Sequence, residues 1–163
     1  MKVVFLDIDG VLNNDKTNAR TPDGFTGIGN SQIKRLAEFV KQTGANIVLS
    51  STWKDEWDKD PARLTTDGRY MVKKFRQVGL SILDKIDEST TGGSHRGAAI
   101  SLYLEKHPEI EEYVILDDFE FDFFQYENLA EHFVQTDGRM GLTASDVEKA
   151  SAVLNNEYAK DDR

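Results

Sequence analysis

Val3-Val4-Phe5-Leu6-Asp7-Ile8-Asp9-Gly10-Val11-Leu12 is the stretch on which the reading of this chain turns. Apolar, β-favouring residues run straight into two carboxylates spaced i, i+2, and then a glycine. A strand alternates its faces with period two, so Asp7 and Asp9 project to the same side where the strand ends. Gly10 supplies the backbone freedom for a sharp turn there. Two like charges this close raise each other's pKa unless something positive sits between them. A hard divalent cation with oxygen ligands meets that need, and Mg²⁺ suits a site that also handles phosphate. The plainer alternative is that both aspartates only cap the strand or start a turn.

The chain has 163 residues, enough for one domain with a proper core. Charged residues make up 30% and hydrophobic residues 39%, the profile of a folded globular protein. There is no cysteine, which excludes disulfides and thiolate zinc sites. His95, His107 and His132 are scattered and lack metal-ligand spacing. No leader precedes the first strand and no apolar run approaches the ~20 residues of a membrane span, so a cytoplasmic location is expected. A net charge of −9 argues against broad attraction to nucleic acid. Only Lys54 to Arg76 is mildly basic, which reads first as a solvated helix face and second as a local phosphate-backbone contact.

Strands and helices alternate, which predicts an α/β fold with a mainly parallel five-stranded sheet. Strands are expected at Lys2–Leu6, Asn46–Leu49, Leu80–Ile86, Tyr113–Leu116 and His132–Gln135. Helices are expected at Ser31–Gln42, Arg69–Val78 and Gly97–Lys106, and a last one opens at Thr143 with Val147, Ala150, Leu154 and Tyr158 on one face. The charged tail over residues 159–163 reads as frayed. Polar clusters close the first, second and fourth strands: Asp7-Ile8-Asp9, Ser50-Ser51-Thr52 and Asp117-Asp118. In open α/β sheets, ligands bind outside those ends, near a switch in strand order. Taken singly, the hydroxyl run caps a helix and the paired aspartates sit in a solvated turn. Their arrival at one sheet edge favours a site.

The whole pattern resembles the haloacid dehalogenase (HAD) superfamily, whose first motif is Asp-x-Asp-Gly. Four motifs have matches here, and their roles are what the resemblance implies. Asp7 matches the nucleophile that forms an aspartyl-phosphate, and Asp9 the general acid and base, its backbone carbonyl also touching the metal. Ser50 matches the phosphate-binding hydroxyl, assisted by the backbone N–H of Ser51, with Ser51 the fallback in register. Arg96 matches the motif cation, usually lysine in the superfamily, and Lys85 is a weaker candidate; a surface arginine is the plain reading. Asp117 matches a direct Mg²⁺ ligand, with Asp118 or Asp122 as the second acid. Phe-Leu-Asp-Ile-Asp-Gly-Val-Leu-Asn, Leu-Ser-Ser-Thr-Trp, Arg-Gly-x-x-Ile-x-x-Tyr-Leu, Val-Ile-Leu-Asp-Asp and Gln135 to Thr143 together resemble one branch. It is the small HAD-like domain of the Swiss Army knife RNA repair proteins.

The resemblance implies a three-layer Rossmann-like fold and a phosphoric monoester hydrolase with Mg²⁺ as cofactor. It suggests nucleic-acid ends or nucleotides as substrates. A sugar-phosphate phosphatase and a non-catalytic phosphate- or partner-binding domain are the alternatives. Residues 13–29 are too short for a cap domain, so the site is expected to be essentially capless, with that loop as its flap. Trp53 and Trp57 stand near the site, to stack a base or to pack in the core.

Overall fold

In the computed structural model, which describes residues 1–156, five strands form the sheet. They are β1 (Lys2–Leu6), β2 (Asn46–Leu49), β3 (Ile82–Lys85), β4 (Glu112–Asp117) and β5 (Phe133–Gln135). The order is β3-β2-β1-β4-β5, and every neighbouring pair is parallel. Helices α1 (Asn30–Thr43), α2 (Thr66–Gln77), α3 (Arg96–Lys106), α4 (Glu127–Ala130) and α5 (Ala144–Leu154) link or flank the strands.

Period two in the strands sorts the core into two layers. Val4, Leu6, Ile47, Leu49, Val114 and Leu116 pack with Leu36 and Phe39 of α1, Met71 and Phe75 of α2, and Leu154 of α5. The alternate set, Val3, Phe5, Val48, Tyr113 and Ile115, packs with Ala99 and Ile100 of α3 and Leu129 of α4. With both faces covered, the central strands are apolar throughout, as buried parallel strands must be. The result is three layers, with the sheet in the middle.

The expected elements are present, with their ends moved by local chemistry. Helix α2 begins three residues before the expected Arg69, because Thr65 caps it by accepting from the Gly68 N–H (3.0 Å). Strand β3 is shorter than expected, with a register shift where it meets Ile47 and Val48. Helix α5 starts on a capping box between Thr143 and Asp146. Its expected face holds at Ala150 and Leu154; Tyr158 and residues 159–163 lie outside the described residues. Short 3₁₀ turns at Thr52–Glu56, Pro61–Arg63 and Phe123–Gln125, and the one-turn α4, were too brief to show as periodicity.

The 13–29 segment carries turns and one antiparallel bridge, Arg20 to Thr26, and no helix or longer strand. Among the described residues, no helix is long and apolar enough to cross a membrane.

Candidate active site

Strand register brings the polar ends together. Leu6 pairs with Leu49 on one side and with Leu116 on the other, so Asp7, Ser50 and Asp117 stand side by side one step further on. The ladder continues into them: the Asp7 N–H donates to Leu116 O and the Ser50 N–H to Leu6 O, both at 3.0 Å. All three share the phase of Phe5, Val48 and Ile115, and so they lie on the face that α3 covers. The chain turns from one half of the sheet to the other between β1 and β4, where an open α/β sheet forms its crevice.

Helix α3 delivers Arg96 as its first residue, buried against this edge. Its Nη1 donates to Asp117 Oδ2 (2.6 Å) and lies 3.3 Å from Asp7 Oδ1. The Phe121 ring, on a residue with left-handed backbone (φ 41°), covers the guanidinium at 4.2 Å. Asp122, one residue on, accepts from the Gly97 and Ala98 N–H groups (2.6 and 3.1 Å) and caps the helix that carries Arg96. Behind Arg96, Glu88 Oε1 sits 3.7 Å from its Nε and 3.5 Å from Lys54 Nζ.

Burial pushes the Asp7 carboxyl well above the usual carboxylate range; Asp117 adds to the shift and Arg96 opposes it. Burial likewise raises Asp117 to about 6, against the pull of Arg96 and the Phe119 N–H. For Arg96, burial works against the positive charge, but Asp117 and Asp7 outweigh it and raise the guanidinium pKa. Two buried acids face one arginine, so the pair either retains a proton or takes up a further cation.

One carboxylate oxygen from each of Asp7, Asp117 and Asp118 lies within 4.8 Å of the other two. Asp118 is held in a cradle: a Cβ on Gly138 would lie 2.9 Å from its Oδ2, and one on Gly10 would lie 2.8 Å from its Cβ and closer still to its carboxylate. Gly10 also needs its glycine for φ, at +82°. The Thr136 hydroxyl donates to Gly10 O (2.8 Å) and locks this turn onto the end of β5. An all-oxygen, hard donor set fits Mg²⁺ chemistry. Ser50 Oγ, at the same strand ends, is buried without a hydrogen-bond partner among the described residues. Leaving such a hydroxyl unpaired costs about 1–3 kcal/mol, which an incoming anion would offset.

Asp9 stands apart from the three carboxylates. It is exposed, and Asn13 Nδ2 donates to its Oδ1 (2.9 Å) while Trp53 Nε1 donates to its Oδ2 (3.2 Å). Trp53 and Trp57 are both buried, so neither offers a free face for stacking, and Trp53 instead positions Asp9. Ser51 Oγ accepts from the Trp53 N–H (3.1 Å), which commits it to capping and leaves Ser50 with the unspent hydroxyl. Lys85 donates to the carbonyls of Lys54 and Trp57 and stays outside the cluster, as does Asp122 on its helix cap. Lys54, Glu88 and Phe121 carry no motif signal, and Asn13 is only the last letter of the first motif. All four act through contacts made only in the fold.

Comparison with curated proteins finds no match. A family model described as the HAD domain in Swiss Army Knife RNA repair proteins matches residues 3–147, nearly the whole chain and every residue of the cluster above. The chain belongs to this family of haloacid dehalogenase domains.

Proposed function

We propose that this protein is a Mg²⁺-dependent phosphomonoesterase that works through a phosphorylated Asp7. The family carries phosphatase-type chemistry and typically uses Mg²⁺, and Asp7, Asp117, Asp118 and the Asp9 carbonyl are the groups that would hold the ion. When bound, Mg²⁺ supplies positive charge for the phosphoryl oxygens and the carboxylates around it. The observation that carries the reading is the division of the acids: three gather in one cluster, and Asp9 is held separately on Asn13 and Trp53. A phosphate-binding module would have no use for that fourth carboxylate.

The chain's own residues then have distinct work. Ser50 Oγ, the Ser51 N–H and Arg96 orient the phosphoryl group against Asp7. An Asp7 oxygen bonds to phosphorus as the ester P–O bond breaks, and the leaving oxygen takes a proton from the Asp9 carboxyl. Asp9, now ionised, takes a proton from water; the water oxygen bonds to phosphorus, the acyl phosphate opens, and both aspartates return to their starting states. Arg96, fixed by Phe121, Glu88 and the Asp122 cap, keeps its charge at the phosphate throughout.

Substrates are phosphorylated nucleotides or nucleic-acid ends, in keeping with a site bordered by the 13–29 loop, which carries no folded cap. The test is Mg²⁺-dependent release of phosphate from an aryl phosphate, then from nucleotides, phosphorylated oligonucleotides and sugar phosphates. The wild type should turn over and Asp7→Asn should not. Failure of every ester in Mg²⁺ would leave a binding domain, and a strong preference for sugar phosphates would sink the nucleotide reading.

A further inference from the structure

Two cavities meet at Asp9. One, of about 620 Å³, runs between the 13–29 loop and the turn at Asp137 to Arg139; the other, of about 350 Å³, runs towards Trp53 and Asp67. Asp9 and Phe25 are the two residues that border both. If Asp9 protonates the leaving oxygen, the body of the leaving group lies in this space, and Phe25 is the large apolar surface it meets.

Phe25 is built to be met. Its ring is 68% exposed, and it makes no ring–ring contact among the described residues. The other exposed phenylalanines differ: Phe119 packs on Phe121 at 4.9 Å and Phe124 on Phe133 at 5.9 Å. The backbone beneath Phe25 is clamped. Its N–H donates to Thr21 Oγ1 (3.0 Å), and its carbonyl accepts from the Thr21 N–H (2.8 Å). The same turn is tied to α2, where Asp67 accepts from the Asp23 N–H (3.1 Å) and the Tyr70 hydroxyl from the Ile28 N–H (3.1 Å). A rigid platform spares the ligand the cost of ordering a loop.

The walls around the ring narrow the chemistry. Asn14, Thr26, Arg20 and Arg139 offer polar groups in the larger cavity, whose volume falls in the ~300–1,000 Å³ range of small-molecule sites. Asp15 and Asp137 border it too, so it suits a leaving group that is polar and flat but carries few further phosphates. A sugar phosphate offers the ring only C–H groups, where a base offers a π face. We propose that Phe25 is a platform on which the base of a phosphorylated nucleoside stacks, and that it sets the preference of the site for such leaving groups. This rests on the phosphomonoesterase reading for its chemistry, though the stacking itself is testable without turnover.

The experiment has a kinetic arm and a binding arm. In the first, kcat/KM is measured for a nucleoside monophosphate, a phosphorylated oligonucleotide and glycerol phosphate, with wild type, Phe25→Ala and Phe25→Trp. Phe25→Ala should lower the ratio of nucleoside to glycerol substrate about tenfold or more, chiefly through KM, and Phe25→Trp should keep it within about threefold. The more affected nucleoside substrate identifies its source, a free nucleotide or a strand end. In the second arm, Asp7→Asn is titrated calorimetrically with the mononucleotide in Mg²⁺, with and without Phe25→Ala, and the added change should weaken binding by a similar factor. An unchanged ratio for both nucleoside substrates, together with unchanged binding, overturns the platform. Base-dependent binding without hydrolysis of any ester would overturn the phosphatase and leave the platform standing.

Discussion

Replacing Gly10 by alanine tests whether the turn after β1 is shaped around Asp118. The new Cβ would lie 2.8 Å from the Asp118 Cβ, so rotating the carboxylate alone cannot relieve the clash. A left-handed backbone (φ 82°) costs an L side chain about 1–2 kcal/mol, and overpacking costs about 1–3 more. Together these lower the melting temperature of the metal-free protein by roughly 4–20 °C for a chain of this size. Metal binding should suffer separately. At Mg²⁺ about 100-fold above its dissociation constant, the wild type gains about 2.7 kcal/mol. A tenfold weaker site, from a displaced Asp118, forfeits about 1.4 kcal/mol of that, half the rise in melting temperature. Gly44→Ala supplies the comparison, because its φ is +72° and a Cβ there meets nothing within 4 Å. It should lose stability yet keep the whole Mg²⁺ rise. The assay is thermal melting of wild type and both variants with chelator and with Mg²⁺. A Gly10→Ala protein with the wild-type Mg²⁺ rise would refute the cradle.

Ser50 and Ser51 should separate cleanly. Ser50→Ala removes a hydroxyl with no partner, so stability should change by less than about 1 kcal/mol, while kcat/KM falls about 100-fold. Ser51→Ala removes a cap on the Trp53 N–H, so it should lose about 1 kcal/mol of stability with a smaller loss of activity, since its backbone N–H remains. Reversed outcomes in melting and steady-state kinetics would exchange the two roles. The metal-free protein should also respond to pH through its buried acids. Asp117 is raised to about 6, and Asp7 is raised as well, so the folded state holds protons that the unfolded chain has already released. That stability is present near the unfolded pKa and is lost as pH rises through the folded one. The melting temperature without metal should therefore fall as pH rises from about 5 through about 6, and Mg²⁺ should reverse the fall. Asp87, Glu109 and Asp137, whose pKa values are lowered, act with the opposite sign but titrate below this window. A metal-free melting temperature that rises over the same range would contradict the buried acid pair.

The strands and their chemical ends were legible because the sheet is parallel and buried on both faces. Val3–Leu6, Ile47–Leu49 and Val114–Leu116 are each a short apolar run followed by one polar residue. With the register that pairs Leu6 with Leu49 and Leu116, those residues must coincide. Arg96 was legible because it opens a helix. What could not be read were contacts between loops. Nothing in Asn13 or Trp53 as letters says that both hold Asp9; Trp53 reads as a core residue or a stacking surface, and its role as a donor comes only with the fold. The choice of Asp118 over Asp122 likewise waits on the fold, which spends Asp122 on the α3 cap. Phe25 carries no signal for the opposite reason. A lone phenylalanine in a polar loop carries no periodicity, and its exposure at Asp9 exists only once the Thr21 turn is formed.

A covalent bond between Asp7 and phosphorus can be caught directly. The protein is mixed with a turned-over phosphate ester in Mg²⁺, quenched in acid and treated with borohydride, which reduces an acyl phosphate to an alcohol. Peptide mass spectrometry then reads residue 7. Conversion of the Asp7 side chain to that of homoserine is expected, dependent on both substrate and Mg²⁺; with an activated aryl phosphate, whose leaving group needs no proton, the yield should be larger in Asp9→Asn, where the second half-reaction lacks its base. Sustained hydrolysis with residue 7 unmodified in every sample, and activity surviving Asp7→Asn, would contradict it.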